Sequence, residues 1–231
     1  MQFTLGMLLW GEGVTALFQW GYGILTGLLL GGWVHQQFSF KLSWFTLLVL
    51  ATIPSLINLM GSAYVDVMLL FYATATWVAL LQWRQHKTNS WLILLGIMVG
   101  FCLGVKYTAI AIPLAVTLSL IWESRTEGVP VIGQRLLLVG GMSMVMILLW
   151  LVENWLTTGN PVYPFLFDGL YWDAWFTWWY ERPGTGLAFA EPSRLPWVWL
   201  EATFIGAEGS SAYDATIGPY ALGLLVLLPF V

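Results

Sequence analysis

Charged residues are scarce in this chain of 231 residues. Only 9% are charged, against about 25% in an ordinary soluble domain, whereas 59% are hydrophobic. A soluble fold of this size must cover its surface with polar side chains, and so few charges cannot do that. The 16% of aromatic residues also exclude a disordered chain. The composition therefore predicts a polytopic membrane protein.

Cysteine, histidine and basic residues are few as well. The single cysteine, Cys102, excludes a disulfide scaffold. Eight Lys and Arg residues against twelve Asp and Glu argue against a nucleic-acid partner. The sequence has no Gly-Lys-Ser/Thr phosphate loop, no His-Glu-x-x-His and no Gly-x-Ser-x-Gly. With only His35 and His86 available, a histidine metal site or a Ser-His-Asp triad is not expected.

Long apolar runs predict an all-α bundle with about seven membrane-spanning helices. Each span needs about 20 apolar residues, and runs without period-2 alternation favour helices over a barrel. The chain also ends within an apolar run and starts without a signal peptide, so we expect a piece of a larger protein. The expected spans are 14–34, 44–60, 65–83, 91–104, 108–122 and 136–152, with a further one beginning at 218.

The apolar run 91–122 is too long for one span. As a single helix it would measure about 48 Å, against a hydrocarbon core of about 30 Å. Its one charge, Lys106, lies in the middle, where a lysine is costly. A break at 105–107 places Lys106 at a surface. It also puts the basic loops 35–43, 84–90 and 123–135 on one side, which the positive-inside rule makes cytoplasmic.

This topology divides the chain into three parts. Residues 1–152 are expected to form membrane helices with short loops, 153–217 a long external segment, and 218–231 the start of a further span. Seven of the ten residues in 171–180 are aromatic. Such a segment is typical of an anchor in the headgroup layer, although it also suits an aromatic platform for a lipid-linked or sugar substrate.

Glycines recur every four residues on two predicted helices. Gly23, Gly27 and Gly31 do so on one, and Gly96, Gly100 and Gly104 on another. Small residues at this spacing let helix backbones approach closely in lipid. Packing within the chain is the simpler interpretation, and a dimer interface is the alternative.

Two ionisable residues on the predicted outer face are candidates for chemistry. Asp66 opens a helix, where the helix dipole favours a carboxylate, but it could also bind a metal ion or a hydroxylated substrate. Lys106 could extend to the headgroups, or it could stabilise a departing phosphate. A third alternative is that these two side chains only pair with each other.

A rigid loop follows the last predicted helix of the first part. Glu153 and Asn154 close that helix, and Thr158-Gly-Asn-Pro-Val-Tyr-Pro164 comes next. The Asn-Pro and Tyr-Pro steps disfavour helix and fix extended or turn geometry. Asn160 and Tyr163 therefore lie either in a structural re-entry loop or in a preformed saccharide or polyprenyl site, and composition alone does not decide between them.

Four motifs occur in this order: Ser62-Ala-Tyr-Val-Asp66, Gly100-Phe-Cys-Leu-Gly-Val-Lys-Tyr-Thr108, Asn154 with Thr158-Gly-Asn-Pro-Val-Tyr-Pro-Phe165, and Ile217-Gly-Pro-Tyr220. Together they resemble the polytopic GT-C glycosyltransferases. Within that group, the chain is most similar to the bacterial phospholipid-carrier-dependent branch, related to protein mannosyltransferases and aminoarabinose transferase. The resemblance covers nearly the whole chain, and the second and third motifs are the most specific.

The resemblance implies an inverting transferase in the inner or plasma membrane. It would move a sugar from a polyprenyl-phosphate donor to a lipid or glycan acceptor at the non-cytoplasmic face. Asp66 would be the catalytic residue within this chain, because it falls where the family often has an acidic residue near the site, and Lys106 falls on the family's basic position. The family's main catalytic carboxylate would lie upstream of Met1, so we expect this chain to be inactive alone. Glu153 departs from the family, which has Arg or Lys before the asparagine.

By the same resemblance, the substrate-binding residues would be Lys106, Tyr107, Asn154, Asn160 and Tyr163, with membrane lipids as further partners. The resemblance leaves a divalent metal ion open as a cofactor. Two other functions also remain open. A transporter or flippase for lipid-linked sugars would use the same charges, but it needs a path across the bilayer. A non-catalytic membrane scaffold would need none of them.

Overall fold

A computed structural model describes residues 2–11, 13–166, 170, 172–180 and 191–207. All regular elements in these ranges are helices, which confirms the all-α prediction. The α-helices are α1 (Gln2–Trp10), α2 (Gly13–Gln37), α3 (Phe40–Ala51), α4 (Pro54–Met60), α5 (Asp66–His86), α6 (Asn89–Val105), α7 (Ala111–Ser124), α8 (Val129–Thr158), α9 (Ala174–Tyr180) and α10 (Val198–Phe204). Short 3₁₀ helices at Tyr107–Ile110 and Pro192–Trp197 precede α7 and α10.

Four of the described helical segments are long and apolar enough to cross a membrane. They are α2, α5, α8 and Tyr107–Ser124, and the bent pair α3 and α4 raises the number to five if it forms one span. The predicted count of about seven also included α6, which has 17 residues and measures about 25 Å. It further included 218–231, which lies outside the described residues.

The described residues fall into two compact units. One comprises the described parts of 1–67 and 178–231, and the other is Met68–Thr177. In the first unit, α2 and α3 run antiparallel and meet closely. The Ser43 hydroxyl donates to the Gly31 carbonyl oxygen at 2.8 Å, and Leu47 lies against Gly27 and Gly31. Further along, Met60 of α4 lies against Gly23.

The predicted span 44–60 is bent. Helix α3 ends at Ala51, and α4 begins at Pro54 with its axis turned by 72°. Proline has no backbone N–H to continue the ladder of α3, yet it fits the first turn of a new helix. The predicted span 44–60 therefore corresponds to a bent helix pair, whose members pass the length and apolarity criteria only together.

In the second unit, α6 and α8 run parallel and pack closely. A Cβ atom added at Gly96 would lie 2.6 Å from the Val139 carbonyl oxygen, and one at Gly100 would lie 2.6 Å from that of Ser143. The Ser143 hydroxyl also donates to the Gly96 carbonyl oxygen at 3.0 Å. Two of the three predicted glycines thus pack within the chain, whereas Gly104 has no atom within 4 Å of such a Cβ.

The second unit places its charged loops at one end. Glu123, at the end of α7, forms an ion pair with Arg84, near the end of α5, with 3.1 Å between Oε1 and the guanidinium nitrogen. Arg135 of α8 donates to the buried Ser124 hydroxyl at 2.6 Å and to both carboxylate oxygens of Glu127. Since α6 and α8 run away from this end and α7 returns to it, the break at 105–107 lies at the opposite end.

Candidate functional site

The predicted helix break is present at Lys106. Helix α6 ends at Val105, Lys106 adopts an extended backbone with φ of −156°, and a 3₁₀ turn begins at Tyr107. The Lys106 side chain is exposed. The break brings the Tyr107 ring, which is half-buried, against the last turns of α8, and the site is built around that ring.

The Tyr107 hydroxyl joins two distant parts of the chain. Its oxygen accepts a hydrogen bond from Asn154 Nδ2 at 3.0 Å and another from Trp150 Nε1 at 3.3 Å. Both donors are on α8, one helical turn apart, which puts them on the same face. The buried Asn154 also directs Nδ2 at the Pro161 carbonyl oxygen, 3.4 Å away. One amide thus connects the helix break, α8 and the loop that follows α8.

That loop begins with a glycine C-cap. Gly159 has φ of +78°, and its N–H donates to the Trp155 carbonyl oxygen at 2.9 Å. A left-handed residue at this position ends many helices, and glycine adopts it without steric cost. The cap turns the chain back, so that the Phe165 ring meets the edge of the Tyr107 ring at 5.4 Å between centroids.

Asn160 holds this loop together. It is fully buried, its Oδ1 accepts from the Val162 N–H at 2.9 Å, and its Nδ2 donates to the Phe165 carbonyl oxygen at 3.1 Å. The Thr158 hydroxyl donates to the Asn160 carbonyl oxygen at 3.2 Å and to that of Asn154 at 2.7 Å. The asparagine therefore builds the loop, which was one of the two interpretations of this motif.

An aromatic cluster continues from Tyr163. The Tyr163 ring contacts Trp172 edge-on at 6.0 Å, and Trp172 stacks on Phe176 at 5.5 Å. The indole Nε1 of Trp172 donates to the Thr177 hydroxyl at 3.0 Å, while Asp173 caps α9 through the Phe176 N–H at 2.9 Å. A short helix thus presents part of the aromatic-rich segment beside the loop. Its placement at a membrane interface stays a prediction.

The remaining acidic candidates are Asp66 and Glu153. Asp66 is half-buried and is the first residue of α5, where the N-terminal dipole favours a carboxylate. It belongs to the first compact unit, whereas Lys106, Tyr107, Asn154, Asn160 and Tyr163 belong to the second.

Glu153 Oε2 is buried and accepts no hydrogen bond from any described residue. Buried polar atoms without a partner are uncommon in native folds.

The described side chains do not provide a metal centre. No group of three or more His, Cys, Asp or Glu residues in the described ranges is arranged to hold a metal ion. The described donor set does not fit a divalent cation, and the resemblance had only left such an ion open as a cofactor.

The sequence predicted five of these second-unit residues as site residues. It included Thr158 and Phe165 only as members of a motif, and it did not point to Trp150. Trp150 and Thr158 carry hydrogen bonds of the site, and Phe165 carries a ring contact. Trp150 lies four residues before Asn154, so the helical period alone would have placed both on one face of α8.

The fold and this site define an all-helical protein whose longest helices have the length and apolarity of membrane spans. The chain belongs to the family DUF8201, a domain of unknown function, whose model matches residues 15–175. The matched stretch includes Asp66, Lys106, Tyr107 and the loop after α8. No curated protein and no solved structure matches the chain. The similarity to GT-C glycosyltransferases therefore stays a prediction from sequence motifs.

Proposed function

We propose that the protein is a multi-pass glycosyltransferase of the inner or plasma membrane. It moves a sugar from a polyprenyl-phosphate donor to a lipid or glycan acceptor at the non-cytoplasmic face. The observation that carries this proposal is the hydrogen bond between Asn154 and Tyr107. These two residues are 47 positions apart in sequence, and they belong to the two most specific motifs of the resemblance.

The charge distribution supports the assignment of a side. Arg84, Lys87, Arg125 and Arg135 lie in or beside the loops at one end of the second unit, and the positive-inside rule makes that end cytoplasmic. Lys106 and the loop after α8 are at the opposite end. In this proposal α6 is a sixth, short span and 218–231 begins a seventh.

The chemistry needs a cation where negative charge develops. The acceptor hydroxyl oxygen attacks the anomeric carbon of the donor sugar, and the bond from that carbon to the phosphate oxygen breaks. The hydroxyl proton passes to a carboxylate, and the polyprenyl phosphate leaves with its negative charge. Lys106, exposed at the helix break, stabilises that charge more in the transition state than in the ground state.

Other site residues bind and position the substrates. Glu153 Oε2, which accepts no hydrogen bond from any described residue, is an acceptor suited to a sugar hydroxyl group. Asp66 is the candidate catalytic carboxylate of this chain. Tyr107, Asn154 and Asn160 hold the loop in shape, and Tyr163 with the Trp172 ring offers apolar faces to the sugar or the prenyl chain.

The proposal is tested by sugar transfer in membranes that contain the full-length protein. Donors are polyprenyl-phosphate glucose, mannose, arabinose and aminoarabinose, each labelled in the sugar. Asp66→Asn and Lys106→Ala are each expected to lower transfer by about 10²–10³ with little loss of folded protein. Lys41→Ala, in the first turn of α3 and within the predicted cytoplasmic stretch 35–43, is the matched control and is expected to transfer normally.

A charge-reversed pair separates chemistry from simple pairing. If Asp66 and Lys106 contact substrate, the double variant Asp66→Lys with Lys106→Asp stays inactive although it folds. Recovery of transfer in that variant would remove both residues from the site.

A further inference from the structure

A groove lies between α5 and α7, at the charged end of the second unit. Its volume is about 680 Å³, within the range of ligand-sized cavities. Its apolar wall includes Trp77, Leu80, Leu118 and Ile121. Leu118 is 67% exposed and Trp77 is 40% exposed, so the groove is open along its length. Both flanking helices belong to segments long enough to span a membrane, which makes acyl chains the surrounding medium.

The mouth of the groove carries an excess of positive charge. Glu123 is the one carboxylate of the lining, and it pairs with Arg84 at 3.1 Å and with Lys87 at 3.8 Å. Arg125 also lines the mouth, where its guanidinium carbon lies 3.9 Å from the centre of the Trp122 ring. The three cations and the single Glu123 carboxylate leave a net charge of about +2. Arginine suits phosphate binding because its guanidinium group donates two parallel hydrogen bonds.

We propose that this groove binds one anionic phospholipid, with an acyl chain along Trp77 and Leu118 and the phosphate at Arg84 and Arg125. An apolar trough that ends in a net positive charge matches a molecule that is apolar along its length and anionic at one end. Basic pockets between membrane helices on the cytoplasmic side bind anionic headgroups for this reason. The groove lies at the opposite end of the unit from Tyr107 and Asn154, so this inference does not rest on the proposed transferase.

The test is a competition between two lipids with identical chains. The purified full chain in detergent is mixed with equimolar dioleoyl phosphatidylglycerol and dioleoyl phosphatidylcholine, and the retained lipid is measured by native mass spectrometry. One phosphatidylglycerol per chain is expected, in at least tenfold excess over phosphatidylcholine. Equal retention of the two lipids, or a lipid-free dimer that covers the groove, would overturn the proposal.

Variants locate the site. Arg84→Gln and Arg125→Gln are each expected to lower phosphatidylglycerol retention by about fivefold, because each removes one cation near the headgroup. Arg194→Gln, in the other unit, is the control and is expected to retain the lipid. Loss of Arg84 also removes the shorter ion pair of Glu123 and leaves only the one with Lys87. Leu118→Trp is therefore a second variant, which fills the trough without changing charge and is expected to expel the lipid.

Inorganic phosphate distinguishes a lipid site from a simple anion site. At millimolar concentration it is expected to leave phosphatidylglycerol bound, since most of the contact is with the acyl chain. Displacement by phosphate alone, or unchanged retention in both Arg84→Gln and Leu118→Trp, would contradict a lipid occupant.

Discussion

Asn154 Nδ2 lies 3.0 Å from the Tyr107 hydroxyl oxygen and donates a hydrogen bond to it. The two residues are on different helical segments, and Trp150 donates to the same oxygen at 3.3 Å. A single phenol oxygen therefore links the last turns of α8 to the break after α6. The shape of the following loop depends on this contact, because Asn154 also reaches the Pro161 carbonyl oxygen.

Removing the Tyr107 hydroxyl should loosen the site without removing the ring. In Tyr107→Phe, Asn154 and Trp150 lose their shared acceptor, and we expect a loss of stability of about 0.6–1.7 kcal/mol, the range for hydrogen bonds between membrane helices. Unfolding in mixed micelles measures this loss. Tyr64→Phe, at a largely exposed tyrosine, is the control and should be silent. Equal stability of both variants would show that the Tyr107 hydroxyl does not stabilise the fold.

The close contact of α6 and α8 makes a sharp prediction about glycine. Alanine at Gly96 or Gly100 would put Cβ 2.6 Å from a backbone carbonyl oxygen of α8, which cannot move without shifting the helix. We expect each substitution to cost about 1–3 kcal/mol of stability. Gly104→Ala has open space and should be neutral or stabilising by up to about 1 kcal/mol. Thermal unfolding of the three variants in detergent gives the comparison, and tolerance at position 96 would contradict the packing.

Part of this architecture follows from the sequence, and part does not. The break at 105–107 is predictable because a lysine in an over-long apolar run has to reach a surface. The hydropathy of this run did not predict the 72° bend before Pro54, because hydropathy is an average over many residues. The bend instead follows from the backbone chemistry of one proline, which hydropathy does not register. The pairing of Tyr107 with Asn154 depends on the register of α6 against α8. That register depends on which backbone carbonyls of α8 contact Gly96 and Gly100 of α6. Such contacts are a property of the two packed helices and cannot be derived from the sequence of either one.

The two ends of the second unit should face opposite sides of the membrane. In a Cys102→Ala background, Lys106→Cys should react with an impermeant thiol reagent only from outside. Thr126→Cys, in the exposed turn between α7 and α8, should react only after the cytoplasmic side is opened. The loop charges are the physical reason. Reaction of both positions from the same side would contradict the helix reversal at Lys106.

Acid should weaken the connection between α7 and α8. Hydrogen bonds from Arg135 to the Glu127 carboxylate, together with the charge of Arg135, hold the pKa of Glu127 below its usual value. A carboxyl group whose pKa is lowered by folding stabilises the fold above its unfolded pKa, and this stabilisation is lost as pH falls through the folded pKa.

Glu127→Gln tests that linkage and leaves the bond from Arg135 to Ser124 available. The variant should be less stable than the wild type at pH 6 to 7, and the difference should shrink below about pH 4, where unperturbed glutamate is protonated. The stability of both proteins is measured across this pH window. Parallel curves of stability against pH would show that Glu127 does not contribute to the acid sensitivity.

The central claim is that the protein breaks the bond between sugar and polyprenyl phosphate. The most direct measurement uses full-length protein in sealed vesicles, with a donor labelled separately in the sugar and in the prenyl chain and with membrane acceptors present. We predict that free polyprenyl phosphate and labelled acceptor appear in equal amounts, and that Lys106→Ala stops both. Intact donor moved to the other leaflet would instead identify a flippase, and donor left unchanged and in place would identify a scaffold; either result would contradict a transferase.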